Sequence, residues 1–534
     1  MGLRKDNCID YFSVFCQIFL NQLVLNLGRM LEQDADRQNF RPYGQTGYIP
    51  LEELTSNSDS TNQFRRSVEN KLYSNAMSKI VHSVQEILGK QVYAIDGDAL
   101  IPRSWQTIES YLQEHGLAER FALLPPFNDY PKLFHAYLRM TPAVQELTDG
   151  LFHRENMSSN ATSTDIDTAL SRTAGEFLER YSLSLHRKKD LLRMSYARAL
   201  KAGCISLDTY CANMRVEISG EQEFLWVRGH RIDRTGSVLL PAQLVYWNYD
   251  NRHADWREPV ISESNTNGAG AGPSLEAAIL AGVYELIERD GFLIYWLNSI
   301  SPSVIEPDAI SMPELGGLID DCKRYGLKVY FLNTMSDISI PTCTAVMVDD
   351  SGIGPKVAIG ACSASEWEAA MIGALGEALS VAYGLRGRQP KGEDFAYFTE
   401  SDSTLKIARR QRLSIWGNSR MFKHFEFFLA GSRINLSNLR HFERHFGTKK
   451  EELHEASKAV RDADNSYDIY YYSVKDPVLR ELGFNSVKVI IPQLVPLYLR
   501  EIFLPAGAER LRNVPPKLGR TASPILNKFP HPFP

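Results

Sequence analysis

Two short segments carry the same arrangement of charge. The element E-x-x-E-R occurs as Glu176-Phe-Leu-Glu179-Arg180 and again as Glu285-Leu-Ile-Glu288-Arg289. On a helix, residues three and four apart are neighbours, so each copy sets two carboxylates and a guanidinium on one face. Alone, such a face is a solvated ion-pair surface worth roughly 0.2–0.5 kcal/mol per pair. The flanking residues argue against that: Ala174, Phe177, Leu178 and Tyr181 surround the first copy, and Val283, Leu286, Ile287, Phe292 and Leu293 the second. Helices with so much apolar surface pack into a core, where an acid is costly unless it is paired or bound to a cation. Four such carboxylates suit Mg2+, which takes oxygen ligands and usually shares its shell with nucleotide phosphates. The arginines suit phosphate oxygens.

Just ahead of the second copy runs Ser264-Asn-Thr-Asn267-Gly268-Ala-Gly270-Ala-Gly272-Pro-Ser274. A glycine-rich turn feeding a helix N-terminus predicts a phosphate cradle of backbone N–H groups, although neither the Walker G-K-[ST] nor the G-x-G-x-x-G spacing is present. At the far end, Pro530-His531-Pro532-Phe533-Pro534 alternates proline with rings. Such a stretch is stiff and pre-extended, so inserting it into a site costs little chain entropy. A carboxylate on Pro534 would serve there as a positioned base or hydrogen-bond acceptor.

The elements that must position these groups read as follows. Residues 11–27 form an apolar helix, interrupted by Gln17, Asn21, Gln22 and Asn26, that reads as buried rather than membrane-spanning. A polar linker follows at 55–62, then helical patterns from 66 to about 151 broken by Pro102, Pro125 and Pro126. Asp165 predicts the N-cap of the helix carrying the first motif. Beyond it, strands at 328–333 and 343–348 alternate with a helix at 367–382, and a helix at 449–462 precedes strands at 467–474 and 486–491. This pattern predicts an α/β (α+β) architecture divided as 1–65, 66–155 and 156–534.

Composition narrows the function. A chain of 534 residues with net charge −5 is too long for one small binding module and has no electrostatic reason to bind nucleic acid. Its seven cysteines (Cys8, Cys16, Cys204, Cys211, Cys322, Cys343 and Cys362) form no CxxC pair and read as reduced structural thiols of a cytoplasmic protein. The histidines are dispersed; of them only His531, in the proline-rich tail, reads as functional. Asn160-Ala-Thr162 fits a glycosylation sequon but is discounted on the same cytoplasmic reading.

From residue 158 to the end, the sequence resembles the YcaO family, in particular its azoline-forming peptide cyclodehydratases. Four places carry the resemblance. Residues 172–182 are similar to the family's S-x-x-x-E-x-x-E-R segment, with Arg172 where serine is expected. Asn267-Gly268 through Asp290 is similar to its N-G-x-A-x-G…E-x-x-E-R-D segment, with Ala277 and Ala281 where an acid and a glutamine are usual. Glu377 is similar to the glutamate of R-x-x-x-E, with Gly373 in place of the arginine. The ending is similar to P-x-P-x-P.

The resemblance implies a YcaO-type fold of mixed sheets and carboxylate-bearing helices, preceded by a mainly helical N-terminal region. It implies that Glu176, Glu179, Glu285, Glu288 and Glu377 bind Mg2+ and orient ATP, with Arg180, Asn267, Gly268 and Arg289 beside them, and that Pro530, Pro532 and Pro534 act in catalysis. The implied reaction is ATP-dependent ring closure of Cys, Ser or Thr in a ribosomal precursor peptide. Implied partners are that peptide, an E1-like or ocin-ThiF-like leader-binding protein, an FMN-dependent dehydrogenase, and a second copy in a homodimer. A non-catalytic docking scaffold and a thioamide-forming enzyme are the competing readings.

Overall fold

The computed structural model describes residues 103–533 except 125, 127–129, 142–157, 187, 254, 308–311, 387–397 and 399–410. The expected helix at 11–27, the linker at 55–62, the helical patterns up to 102, and Pro534 therefore lie outside the described residues.

Three sheets and three long helices organise the chain. The first sheet is antiparallel, with β1 (Ala118–Leu124), β2 (Phe134–Met140) and β3 (Ser158–Ser163) in that order. Helix α1 (Arg103–Glu114) precedes it and α2 (Ile166–Ser184) follows. The helical reading of 66–151 thus needs correction: its described part is one helix and two strands. The alternation of buried and exposed residues along β2, with Ala136, Leu138 and Met140 turned inward onto α2, is the period-two signal that was missed. Because β2 pairs with β3, this sheet crosses the boundary expected between 155 and 156.

A six-stranded sheet holds β4 (Leu192–Ser195), β5 (Glu223–Arg231), β7 (Ala269–Gly272), β13 (Tyr470–Ser473) and β14 (Asn485–Ile490), with β6 (Val238–Pro241) paired to β5. A five-stranded sheet holds β8 (Ser303–Glu306), β9 (Leu327–Asn333), β10 (Thr342–Asp349), β11 (Val357–Ser363) and β12 (Arg433–Asn435). Strand β10 is buried at every position because helices cover one face of this sheet and the core the other. The strands expected at 328–333, 343–348 and 486–491 are β9, β10 and β14.

Helix α3 (Leu275–Leu297) is the central beam, with sixteen of its 23 residues buried. Its first half packs Val283 and Leu286 against Val487 and Val489 of β14. Its second half, Phe292 to Leu297, meets Trp416, Phe425, Phe428 and the C-terminal Phe529 and Phe533. A helix apolar on so many sides can only be interior. Helix α4 (Trp367–Arg386) lies along β10 and β11, and α5 (Lys449–Ala463) along α3. Among the described residues no helix is long and apolar enough to cross a membrane.

Candidate active site

The acid-bearing helices repeat one local device. Helix α2 starts at Asp165, whose carboxylate accepts from the Thr168 N–H at 2.9 Å, as its sequence indicated. Downstream, Glu176 accepts from the backbone N–H of Asn160 on β3 at 2.8 Å. On α3, Glu285 accepts from the N–H of Gly268 at 2.8 Å, at the start of β7. On α4, Glu377 accepts from the N–H of Ala361 on β11, also at 2.8 Å. The donor lies 16, 17 and 16 residues ahead of its acid in the three cases. Each unit is therefore a strand or strand entrance followed by a helix, with a backbone N–H gripping the helix carboxylate across the gap.

Glycines make two of these approaches possible. A Cβ on Gly270 would sit 2.2 Å from the Ala278 carbonyl, and one on Gly360 2.4 Å from the Ala374 carbonyl. Both contacts are impossible for a larger residue, so β7 lies flat on α3 and β11 flat on α4. This overturns the phosphate-cradle reading of the glycine-rich segment. Residues 269–272 form a paired strand, the α3 N-terminus is capped by Ser274 bonding the Ala277 N–H, and the Gly268 N–H is occupied by Glu285.

The motif arginines brace their own acids. Arg180 pairs with Glu176 at 2.6 Å and donates to the Ser158 carbonyl. Arg289 contacts Glu285 at 3.2 Å and Glu288 at 2.9 Å. The Glu288 contact is a close approach without hydrogen-bond alignment, so Glu288 Oε1 and Arg289 Nη1 keep unused bonding capacity, as do Arg289 Nε and the buried Asn267 Oδ1.

Glu176, Glu179, Glu285, Glu288 and Glu377 share one electrostatic neighbourhood. Burial, then Glu285 and Glu176, push the Glu179 carboxyl up to about 8. Glu288 also rises to about 8 through burial, with Glu377 and Glu285 repelling its charge against the pull of Arg289. Burial raises Glu377 too, and Glu285 and Glu176 add to it. The two motifs, about a hundred residues apart, thus converge on one site.

Lys488 was missed. It stands on β14, 4% exposed, donating to the Asn265 carbonyl at 2.8 Å, with burial lowering its ammonium to about 8 despite Glu285 and Glu179 nearby. A lone lysine within the run Ser486-Val-Lys488-Val-Ile-Ile was the available signal, since a charge inside a buried strand needs partners.

The chemistry of this donor set fits Mg2+ and phosphate. Crowded carboxylates pushed toward neutrality would ionise against a divalent cation, and unsatisfied Arg289 and Asn267 atoms are open to a ligand. Among the described residues no three of the acids stand together as a chelating group. That suits an ion held by one or two carboxylates and completed by phosphates better than a cage of five.

A family model described as YcaO cyclodehydratase, ATP- and Mg2+-binding, matches residues 160–495, well over half of the chain. The chain belongs to the YcaO family. It is 30% identical over 154 residues to an uncharacterized protein in the tfuA 3′ region of Rhizobium leguminosarum bv. trifolii, covering 28% of this chain and 35% of that one. It thus spans about a third of that relative's length. Among solved structures, a heterocyclase in complex with substrate and cofactor superposes with TM-score 0.63 at 19% identity, over 80% of this chain and 57% of that one. YcaO from Methanopyrus kandleri bound with AMPPCP and Mg2+ superposes with TM-score 0.52 at 16% identity, over 74% and 92%. These structures share the fold expected from the sequence.

The proline-rich tail of this YcaO chain is packed, not free. Trp296 Nε1 donates to the Phe529 carbonyl at 3.3 Å and Trp416 Nε1 to the Pro530 carbonyl at 2.9 Å. His531 is fully buried: its Nε2 lies 2.7 Å from the Tyr498 carbonyl, and its Nδ1 accepts from the Phe533 N–H at 3.3 Å. That pairing requires the neutral ring protonated on Nε2, and burial together with Arg412 and Arg289 holds its pKa well below the ordinary histidine range. His531 is a strut inside the tail. Phe533 ends the described chain beneath Arg289, whose guanidinium lies 3.9 Å from the ring centre. The tail and the acid cluster therefore meet at Arg289.

Asp290, the last letter of the second motif, faces the other way. It is fully buried, takes Arg510 through both carboxylate oxygens at 2.7 and 2.5 Å, and accepts from the Val495 N–H at 2.9 Å. It locks the C-terminal region onto α3 and is remote in role from the acids.

Proposed function

We propose that this chain is an ATP- and Mg2+-dependent peptide cyclodehydratase that closes Cys, Ser or Thr of a ribosomal precursor into azoline rings. The observation that carries the reading is the meeting of a buried, charge-crowded acid cluster with a packed proline-rich tail at one residue, Arg289.

Of Glu176, Glu179, Glu285, Glu288 and Glu377, one or two would hold each Mg2+ while the others orient ATP, with Arg180 and Arg289 bracing the acids or pairing with phosphate. Gly268 contributes by fixing Glu285, and Asn267 offers its free carbonyl oxygen. Bound Mg2+ neutralises phosphate charge during transfer. The side-chain thiol or hydroxyl of the precursor attacks the preceding amide carbon, and the amide oxygen takes the γ-phosphoryl group of ATP, releasing ADP. The carbon–oxygen bond then breaks, phosphate leaves, the amide nitrogen loses its proton, and the ring C=N bond forms. The tail, with Pro530, Pro532 and Pro534, supplies the base or hydrogen-bond acceptor for the attacking group. A leader-binding protein of the E1-like or ocin-ThiF-like kind delivers the precursor, and an FMN-dependent dehydrogenase acts on the product. The working unit is a homodimer in the cytoplasm.

The test combines the purified chain with a precursor peptide and its leader-binding partner, reading phosphate release and the peptide's mass. Glu285→Ala is expected to abolish both ATP hydrolysis and ring formation. Deleting Pro532 to Pro534 is expected to spare nucleotide binding and greatly slow ring formation. Intact complex assembly without ATP turnover by the unaltered chain would leave only a docking role.

A further inference from the structure

The three strand–helix units invite comparison of the residue one turn ahead of each gripped acid. These residues are Arg172 before Glu176, Ala281 before Glu285 and Gly373 before Glu377. Residues four apart share a helix face, so all three stand on the acid-bearing side of their helix, toward its N-terminus. Two of the three are cut to almost nothing. Ala281 ends at Cβ. Gly373 carries no side chain and has no room for one: a Cβ there would lie 2.6 Å from Cys362 Sγ and 3.0 Å from its Cβ.

Arg172 is the exception. Its side chain is exposed and makes no hydrogen bond or ion pair with any described residue, unlike Arg180 and Arg289. The two helices are held at a fixed spacing by β3, where Ser159 Oγ donates to the Thr173 carbonyl of α2 at 2.9 Å and Thr162 Oγ1 lies 3.0 Å from Ser380 Oγ of α4. The charges of Glu288, Glu377, Arg172 and Arg289 all act on Cys362 of β11, the strand that α4 packs on, so Arg172 lies within electrostatic reach of the same neighbourhood as those acids. A long cation with no partner among the described residues thus stands on the acid-bearing face, while the matching positions of the other two units, Ala281 and Gly373, carry no charge.

We propose that Arg172 is the phosphate-binding arm of the nucleotide site, reaching from the acid-bearing face of α2 toward a triphosphate gathered by the acids of α3 and α4. The assignment rests on the nucleotide reading above. It also explains why Gly373, which removes an arginine from the family pattern, is compatible with ATP binding: the positive charge is supplied from the equivalent position of a neighbouring unit, and Cys362 fills the vacated side.

Equilibrium binding of MgATP and of AMP decides it, with thermal midpoints recorded for every protein. Arg172→Ala is expected to weaken MgATP binding roughly ten- to hundred-fold, the worth of one charge-assisted arginine–phosphate contact, with AMP binding and the midpoint unchanged. Arg172→Lys keeps part of the affinity, since it retains charge without the bidentate fork. Moving the charge across, in Arg172→Ala/Cys362→Ala/Gly373→Arg, recovers most of it. Wild-type affinity in Arg172→Ala overturns the proposal, as does an equal loss for MgATP and AMP. Loss without recovery in the triple variant overturns the equivalence of the two positions. If the unaltered chain binds no MgATP, the nucleotide reading itself fails; if it binds and only Glu288→Ala loses binding, the assignment of Arg172 fails alone.

Discussion

Glu288→Gln should make the empty protein more stable while removing its function. Glu288 is 7% exposed, and in the folded chain its carboxyl keeps a proton up to about 8, against an ordinary value of 4.5. Between those limits the folded chain holds a proton that the unfolded chain has released. Stability is therefore complete below about pH 4.5, falls as pH rises, and levels off above about 8. By pH 7 the loss from this one group is about 3 kcal/mol. Glutamine keeps the shape of the neutral acid and cannot ionise, so it does not suffer the loss. It also removes one source of repulsion from Glu377. Thermal midpoints of the two proteins, followed from pH 5 to 8.5 without nucleotide, should start close together and separate in the variant's favour. MgATP should then raise the midpoint of the unaltered chain and leave that of the variant where it was. Parallel midpoints across the whole range would refute the reasoning, because they would mean that Glu288 ionises as freely in the folded chain as in water.

Three further outcomes follow from the same geometry. Burial and neighbouring acids keep Glu179 and Glu288 largely protonated at pH 7, so MgATP binding should release protons and strengthen with pH toward 8. Calorimetry in two buffers of different ionisation enthalpy measures the release, and proton uptake would contradict it. Gly282→Ala would put a Cβ 2.6 Å from the Gly268 carbonyl oxygen and from Val489 Cγ2. It should cost about 1–3 kcal/mol in a thermal melt and weaken nucleotide binding by shifting the N–H that holds Glu285. Asp290→Ala leaves Arg510 buried without its main counter-charge, and should cost about 3–5 kcal/mol, seen as a lower melting midpoint and early proteolysis of the C-terminal region.

The sequence by itself determined the chemistry of the site, because that chemistry is local. Two carboxylates and a guanidinium at helical spacing within an apolar helix announce costly buried acids wherever the helix ends up, and Glu176, Glu179, Glu285 and Glu288 were legible for that reason. The strands β9, β10 and β14 were legible as short apolar runs. Convergence was not. The meeting of α2 with α3 depends on strand pairings spanning hundreds of residues, such as Ser486 opposite Ala271, and no periodicity encodes those. The glycines were misread for the same reason: a glycine required because a Cβ would meet a helix carbonyl at 2.2 Å looks, in one dimension, like a glycine required by a turn. Only the tertiary structure gave Lys488 its acids, buried His531 as a strut, and left Arg172 without a partner among the described residues. Charges and packing partners act through space, and the distances that decide which group meets which are set by the whole fold.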